Sequence, residues 1–334
     1  MALKENGSDI LIKLKDIGKN RAAIMGVATL LVIVVHLWGA DDAPQWIQNI
    51  QQFAQNGVDI FLFISGLGCY YSYTNNGTIK FYKHRAIRIL PPYIIVLTAY
   101  ILVQVLSWKY TFWESYSTNS IAAFFIQGIV SGWFVSAIVV LYLITPLLCE
   151  LLNKKPTAYW LVFAGVLIFL SQVSYYYISD TFYNIKELFL NRIPIYMVGI
   201  FFGKYIKDNE EKELMVTKTG FIILSISIFI LFFINSFFNK TFRMDFCHYI
   251  SILLSPICVI WMTFLFNKYP CPALQEIGNI SFESYLLNEK IGLLIYVYIA
   301  TADNYSINLI AFTLTIIFGY ILRKVCSSVF KNKK

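Results

Sequence analysis

The chain is short of charge. Only 14% of its 334 residues are Asp, Glu, Lys or Arg, against roughly 25% in soluble globular domains. That deficit excludes a water-soluble core wrapped in a charged surface. Histidine is scarce: His36, His84 and His248 are too scattered to build a zinc site with carboxylates at familiar spacing, and no metal is expected. No Cys-x-x-Cys pair occurs. The six cysteines (69, 149, 247, 258, 271 and 326) follow no regular spacing and read as small packing residues. No stretch rich in Pro, Gly or Ser divides the chain, no repeat is obvious, and no nucleic-acid module is visible. One domain without a nucleic-acid partner is expected. Residues 1–21 lack the cleavage pattern of a secretory leader, so no cleaved signal is expected.

What the chain does have is apolar length. Hydrophobic residues make up 58%, aromatic residues 17%, and the mean hydropathy is +0.62. A membrane span needs about 20 apolar residues. Ten such runs stand near 22–39, 57–75, 90–108, 133–152, 158–178, 188–206, 219–238, 248–267, 279–300 and 304–325. With the N-terminus placed in the cytoplasm, the inner segments hold 21 of the 27 lysines and arginines. The outer loops hold Lys109, Lys186, Arg192, Lys240 and Arg243, and Lys290 lies within a run. Positive charge collects on the cytoplasmic side of membranes. The expectation is an all-α, multi-pass protein of the cell membrane, about ten helices in one bundle over 22–325, both termini cytoplasmic. A basic tail, 326–334, would follow. Residues 109–132 hold Tyr110, Phe112, Trp113 and Tyr116, which suit the headgroup zone. They predict an outer loop that re-enters or lies at the interface. Before the first run, Ser8 is placed to cap an amphipathic helix with Ile10, Leu11, Leu14 and Ile17 on one face, lying on the inner membrane surface.

Chemistry concentrates in the first three runs. His36 stands inside an apolar stretch, fifteen residues beyond Arg21 and so roughly 22 Å along a helix. A titratable ring at that depth is a functional candidate by default. Asp59 begins the next, descending run at similar height, where a carboxylate can fix the imidazole tautomer and favour its protonated form. The pair suits a general base; the alternative is a structural hydrogen bond. Lys83-His84-Arg85-Ala86-Ile87-Arg88 is a basic cluster just before Pro91-Pro92, which are expected to open the third span. Arg85 and Arg88 share a helix face and can grip phosphate, unless they are charges that only set topology. Between these sites, Gly57, Ser65, Gly66 and Gly68 let a helix or a slender ligand approach the backbone, with helix packing the alternative for Gly68.

Residues 57–93, GVDIFLFISGLGCYYS through KFYKHRAIRILPPY, resemble the signature region of the acyltransferase family 3 membrane proteins. The run ending at His36 resembles that family's catalytic helix. Gly132-Trp133-Phe134-Val135 with Leu141 to Pro146 resembles its Trp-Phe…Tyr-Leu…Pro span. Ile280 to Asn288 resembles its late Ser-x-Glu-x-Tyr-Leu-x-His segment. There are two departures. The basic residue many members carry eleven positions before the histidine is Met25 here, with Arg21 one helical turn below. The late histidine is Asn288, an amide that can hydrogen-bond but cannot shuttle a proton.

The resemblance implies acyl transfer, usually acetyl, from acyl-CoA such as acetyl-CoA to a hydroxyl of a cell-envelope carbohydrate. On this reading His36 acts as general base or transient acyl carrier, oriented by Asp59. Arg85 and Arg88, helped by Lys83 and His84 and by the Ser65-Gly66 backbone, hold the donor. Trp133, Glu283, Tyr285 and Asn288 shape the substrate side. No extracytoplasmic domain is expected after the tenth run, which leaves a homo-oligomer or a separate extracytoplasmic acyl-accepting partner open. A transporter or flippase of an envelope precursor is the rival from another class, though paired interrupted helices in two halves are not seen. A structural membrane subunit would leave the placement of His36 and Asp59 unexplained.

Overall fold

In the computed structural model, which describes residues 9–37, 44–173, 179–241, 245–298 and 304–331, the chain opens with strand β1 (Asp9–Lys13) and one-turn helix α1 (Asp16–Lys19). Helix α2 (Arg21–Val35) and the amphipathic α3 (Gln45–Ala54) lead into the long α4 (Asn56–Trp108). Short helices α5 (Phe112–Asn119) and α6 (Ile121–Gln127) precede α7 (Trp133–Lys154), α8 (Pro156–Val173), α9 (Asp180–Leu188) and α10 (Ile193–Asp208). Strand β2 (Glu213–Thr217) leads to α11 (Lys218–Thr241), α12 (Asp245–Lys268), α13 (Pro272–Asn279), α14 (Ser281–Tyr298) and α15 (Asn304–Lys331). The structure is 88% helical, so the all-α expectation holds apart from one small antiparallel pair, β1 with β2.

Six helical runs among the described residues are long and apolar enough to cross a membrane: Gln45–Trp108, Trp133–Lys154, Pro156–Val173, Lys218–Asn235, His248–Lys268 and Ser306–Val329. The other expected spans fall on helices that miss this standard for physical reasons. Helix α2 has 15 residues and α10 has 16, about 22–24 Å of rise each. Helix α14 carries Glu283, Glu289 and Lys290.

Helix α4 is broken at Gly77, whose φ of 72° glycine adopts without steric cost. Seventeen residues of straight helix would separate Gly68 from Arg85 by about 25 Å. Instead Arg85 Nη2 lies 3.5 Å from Gly68 O, so the chain folds back on itself. The helix after Gly77 already contains the basic cluster and runs through Pro91 and Pro92. This corrects the expected start of the third span at the prolines. A proline inside a helix removes one N–H, and a membrane bundle absorbs that loss through its neighbours.

The expected N-terminal amphipathic helix is also corrected; Ser8 lies outside the described residues. Residues 9–13 are strand because β2 offers a hydrogen-bonded partner, from Asp9 against Thr217 to Lys13 against Glu213. Leu11 stays exposed while Ile12, Leu14 and Ile17 are buried. Alternation, not helical period, fits that pattern. Residues 111–127 form two short helices. The first is closed by a capping box in which Thr111 accepts from Glu114 N–H and the Glu114 carboxylate accepts from Thr111 N–H.

Small residues bring the central helices together. A Cβ on Gly66 would lie 2.4 Å from Tyr196 O of α10, and one on Gly199 would lie 2.2 Å from Phe63 O. A Cβ on Gly278 of α13 would lie 1.8 Å from Ala22 O of α2. Such contacts between backbones are typical of helices that pack in lipid. The main apolar cluster therefore joins α2, α4, α7, α10 and α12, while α8 and α11 leave most of their apolar surface uncovered.

Candidate active site

The fold-back at Gly77 and the short crossing of α4 over α2 bring arginines from distant parts of the chain to one cavity of about 90 Å³. Arg21 of α2 and Arg85 and Arg88 of α4 line one part of it. Phe61, Ser65, Phe134, Tyr142 and Tyr285 line the middle, and Val32 and Val58 also contribute. Arg21 and Val32 are eleven residues apart on α2, about 16 Å of helix. The cavity thus follows α2 from the arginines to one turn short of His36.

His36 is not buried. It caps the C-terminus of α2 and is exposed. Its Nδ1 lies 2.8 Å from Val32 O. A carbonyl only accepts, so in this contact Nδ1 carries the hydrogen and Nε2 keeps the lone pair of the neutral ring. The tautomer is set by the backbone of its own helix and not, as expected, by Asp59.

Asp59 has other partners. It is buried where the start of α4 meets α10 and α12. Arg192 donates its Nε–H to Asp59 Oδ1 at 3.0 Å, and His248 Nδ1 stands 3.7 Å from Asp59 Oδ2. On its other side His248 Nε2 lies 2.9 Å from Glu187 Oε1. Asn191 donates to Glu187 Oε2 at 3.1 Å, and Arg192 Nη1 donates to the carbonyls of Glu187 and Leu188. The Arg192 guanidinium lies 5.1 Å from the centre of the Trp133 ring. With His248 protonated, two carboxylates face two cations and the charges balance. Buried ions persist when paired and hydrogen-bonded in this way. Trp133 is thereby a buried lid on this cluster and does not line the arginine cavity.

The expected donor-binding residues divide. Arg85 lines the cavity, held between the rings of Phe81 and Tyr142 at 5.3 and 5.1 Å. Arg88 lines it too, but its fork is engaged by Glu283: Nη1 to Oε1 and, at 3.0 Å, Nη2 to Oε2. Glu283 is fully buried. It also faces Arg323 Nη1 at 3.7 Å, so it is a counter-ion and not a wall of the cavity. Lys83 and His84 are exposed and absent from the lining. Once the cluster is helical, their directions differ from that of Arg85 by about 100–200°. Ser65 lines the cavity with Oγ 3.3 Å from Tyr142 Oη. Gly66 serves packing against α10 and is not in the lining. Tyr285 lines it and accepts the Phe134 N–H at 3.2 Å. Asn288 is buried outside it. Among the described residues, no group of three His, Cys, Asp or Glu side chains is spaced for a metal ion.

Sequence reasoning missed Arg192, Glu187 and His248 as site residues and gave Arg323 no role beyond the charge count of the inner side. The available signal was the dense trio Lys186, Glu187 and Arg192 between apolar segments.

Residues 24–324, nearly the whole chain, match the family described as an acyltransferase domain, the third of the acyltransferase families. No curated protein and no solved structure matches the chain. With that domain running from α2 into α15, and six helices apolar enough to cross a membrane, the chain belongs to the acyltransferase family 3 and is a multi-pass membrane transferase.

Proposed function

We propose that this protein transfers an acyl group, most simply acetyl, from cytoplasmic acyl-CoA to a hydroxyl of a cell-envelope saccharide on the far side of the cell membrane. The observation that carries the reading is the cavity that runs along α2 from the arginines to within a turn of His36. A donor with an anionic head and a long thin arm matches that shape. Its phosphates lie at the arginines and its thioester points toward the C-terminal end of α2. The distance from Arg21 to His36, roughly 22 Å of helix, suits an extended arm. The charge bias of the loops supports ten crossings with both termini in the cytoplasm.

In this mechanism His36 Nε2 takes the proton of the acceptor hydroxyl as its oxygen attacks the thioester carbonyl carbon. The C–O bond forms, the C–S bond breaks, and the proton passes to the departing thiolate. In a two-step form Nε2 attacks first and the C–S bond breaks to release the thiolate; the acceptor oxygen then takes the acyl group as the N–C bond breaks, and the hydroxyl proton passes to the thiolate. Asp59 contributes at a distance, by holding Arg192 and the start of α4 in place. Ser65, Phe134 and Tyr285 shape the middle of the passage.

The test is purified protein in liposomes, supplied with radiolabelled acetyl-CoA and an envelope saccharide fraction, without an ion gradient. Transfer of label to saccharide is expected, and H36A is expected to reduce it to background while insertion and thermal stability stay near the parent. Undiminished transfer by H36A overturns the histidine assignment. Saccharide movement with no consumption of acetyl-CoA favours a flippase instead.

A further inference from the structure

The ion count around the arginine cavity does not close. Arg21, Arg85, Arg88 and Arg323 stand about it, and Glu283 is the carboxylate that pairs with any of them. Glu283 is engaged by Arg88 and Arg323. Among the described residues neither Arg21 nor Arg85 has an ion pair. Each also keeps a buried Nε–H with no hydrogen-bond acceptor. A half-buried guanidinium whose Nε–H is shut off from water without an acceptor is costly, and an anion is the ordinary remedy. Arg85 also lies against the rings of Phe81 and Tyr142, which attract a cation without neutralising it.

Both guanidiniums converge on one glycine. A Cβ on Gly68 would lie 3.1 Å from Arg21 Cζ, and Arg85 Nη2 lies 3.5 Å from Gly68 O. The three atoms nearest that position all belong to the Arg21 guanidinium, whereas those nearest Gly66 and Gly199 are backbone of a neighbouring helix. Gly68 therefore makes room for a side chain and not for helix packing. Arg21 is also held from behind. Asp16 Oδ2 accepts from Lys13 N–H at 2.8 Å and from Asn267 Nδ2 at 3.0 Å. Asn20, the residue before Arg21, donates to Asn267 Oδ1 at 2.7 Å. This clamp ties α1 to α12 and sets the point from which Arg21 departs.

We infer that Arg21 and Arg85, rather than Arg85 and Arg88, form the phosphate-gripping pair of the cavity, with Gly68 as the residue that admits Arg21 and Asp16, Asn20 and Asn267 as positioning residues. The ligand class is a phosphate monoester or diphosphate. The inference deepens the donor reading above and rests on it for the source of that phosphate. Two planar forks meeting at one point fit the several oxygens of such a group. The other source of the same chemistry is the phosphate monoester headgroup of phosphatidic acid.

The experiment titrates the full chain in phosphatidylcholine nanodiscs with coenzyme A and, separately, with inorganic pyrophosphate. R21Q and G68A are each expected to weaken both by tenfold or more. R21K should recover less than the whole, because an ammonium lacks the fork. Thermal unfolding of each variant identifies misfolding, and R21K carries the test if G68A fails to fold. N267A is expected to raise the KM for acetyl-CoA severalfold with kcat within about twofold, a split that a purely structural role would not produce. Parent-like affinity of R21Q and G68A for both probes, with acyl transfer intact, overturns the inference and leaves the donor reading standing. Arg21-dependent pyrophosphate binding without coenzyme A binding or transfer does the reverse. Pyrophosphate binding that is weaker in discs containing phosphatidic acid than in discs of phosphatidylcholine alone, with coenzyme A unable to compete in either and the difference lost in R21Q, identifies the headgroup as occupant and overturns the donor as source.

Discussion

Two groups of buried charge lie along the same bundle, and they are built differently. The group around Asp59 balances its charges once His248 is protonated: Asp59 and Glu187 face Arg192 and His248, and peptide carbonyls take the spare guanidinium hydrogens. The group around the cavity does not close, since Arg21 and Arg85 line it with buried Nε–H groups that find no acceptor. A satisfied cluster in low dielectric is a structural joint, and its members hold one another in place. One with an excess of positive charge, here four arginines about one carboxylate, is a receptor for an anion. Asp59 and Arg85 come from the same signature segment, yet they belong to opposite kinds of site.

The largest expected effect breaks the closed cluster. D59A leaves Arg192 buried without its carboxylate, and such orphaning costs about 3–5 kcal/mol. Thermal unfolding in detergent should show it, and D59A/R192A should recover part of the loss. Equal stability of D59A and the parent would mean that Arg192 finds water or another partner. A smaller effect is expected from E283Q at the open cluster. Its partners Arg88 and Arg323 are 29% and 41% exposed, so solvent screens them and the loss should be about 1–3 kcal/mol. The sharpest contrast is R21Q. It removes a half-buried charge that has no ion-pair partner among the described residues, so stability should hold or rise while donor affinity falls. A stability loss as large as that of D59A would place Arg21 in the structural class.

The smallest effect lies outside the bundle. Glu211 accepts from Lys13 at 2.7 Å and also pairs with Lys15, joining the β1 side to the segment before β2. Hydrogen bonds from Lys13 and Lys15 hold its carboxyl down at about 2, below the usual 4.5. A lowered carboxyl stabilises the folded chain above its ordinary value and loses that contribution as pH falls from about 4.5 toward 2. E211Q should flatten this part of the pH–stability curve slightly and leave neutral pH almost unchanged. An unaltered acid limb would show that the pair is too exposed to matter.

Some of the site was legible before the fold. Arg85, Ser65 and Tyr285 were named from motif and charge, and all three line the cavity. Arg21, noted because Met25 stands where a basic residue is common, lines it beside Met25. The pairing of His36 with Asp59 was not legible, because proximity along the chain is a poor guide to which buried carboxylate meets which ring. The true partners of Asp59 lie 133 residues away at Arg192 and still further at His248. Gly66 and Gly68, two residues apart, looked alike in sequence. Two residues turn a helix by about 200°, so one faces α10 and the other faces Arg21. Strand β1 was misread for a similar reason, since its partner β2 is some 200 residues downstream.

Composition and run length by themselves determined that this chain is helical and belongs in a membrane, because lipid leaves backbone polar groups no partners except those within a helix. Local motifs determined which residues are reactive in kind. The tertiary structure decided which charges cancel and which remain, because that depends on distances between helices that no local pattern encodes. It is the uncancelled pair, Arg21 and Arg85, that turns a bundle of apolar helices into a place where an anion belongs.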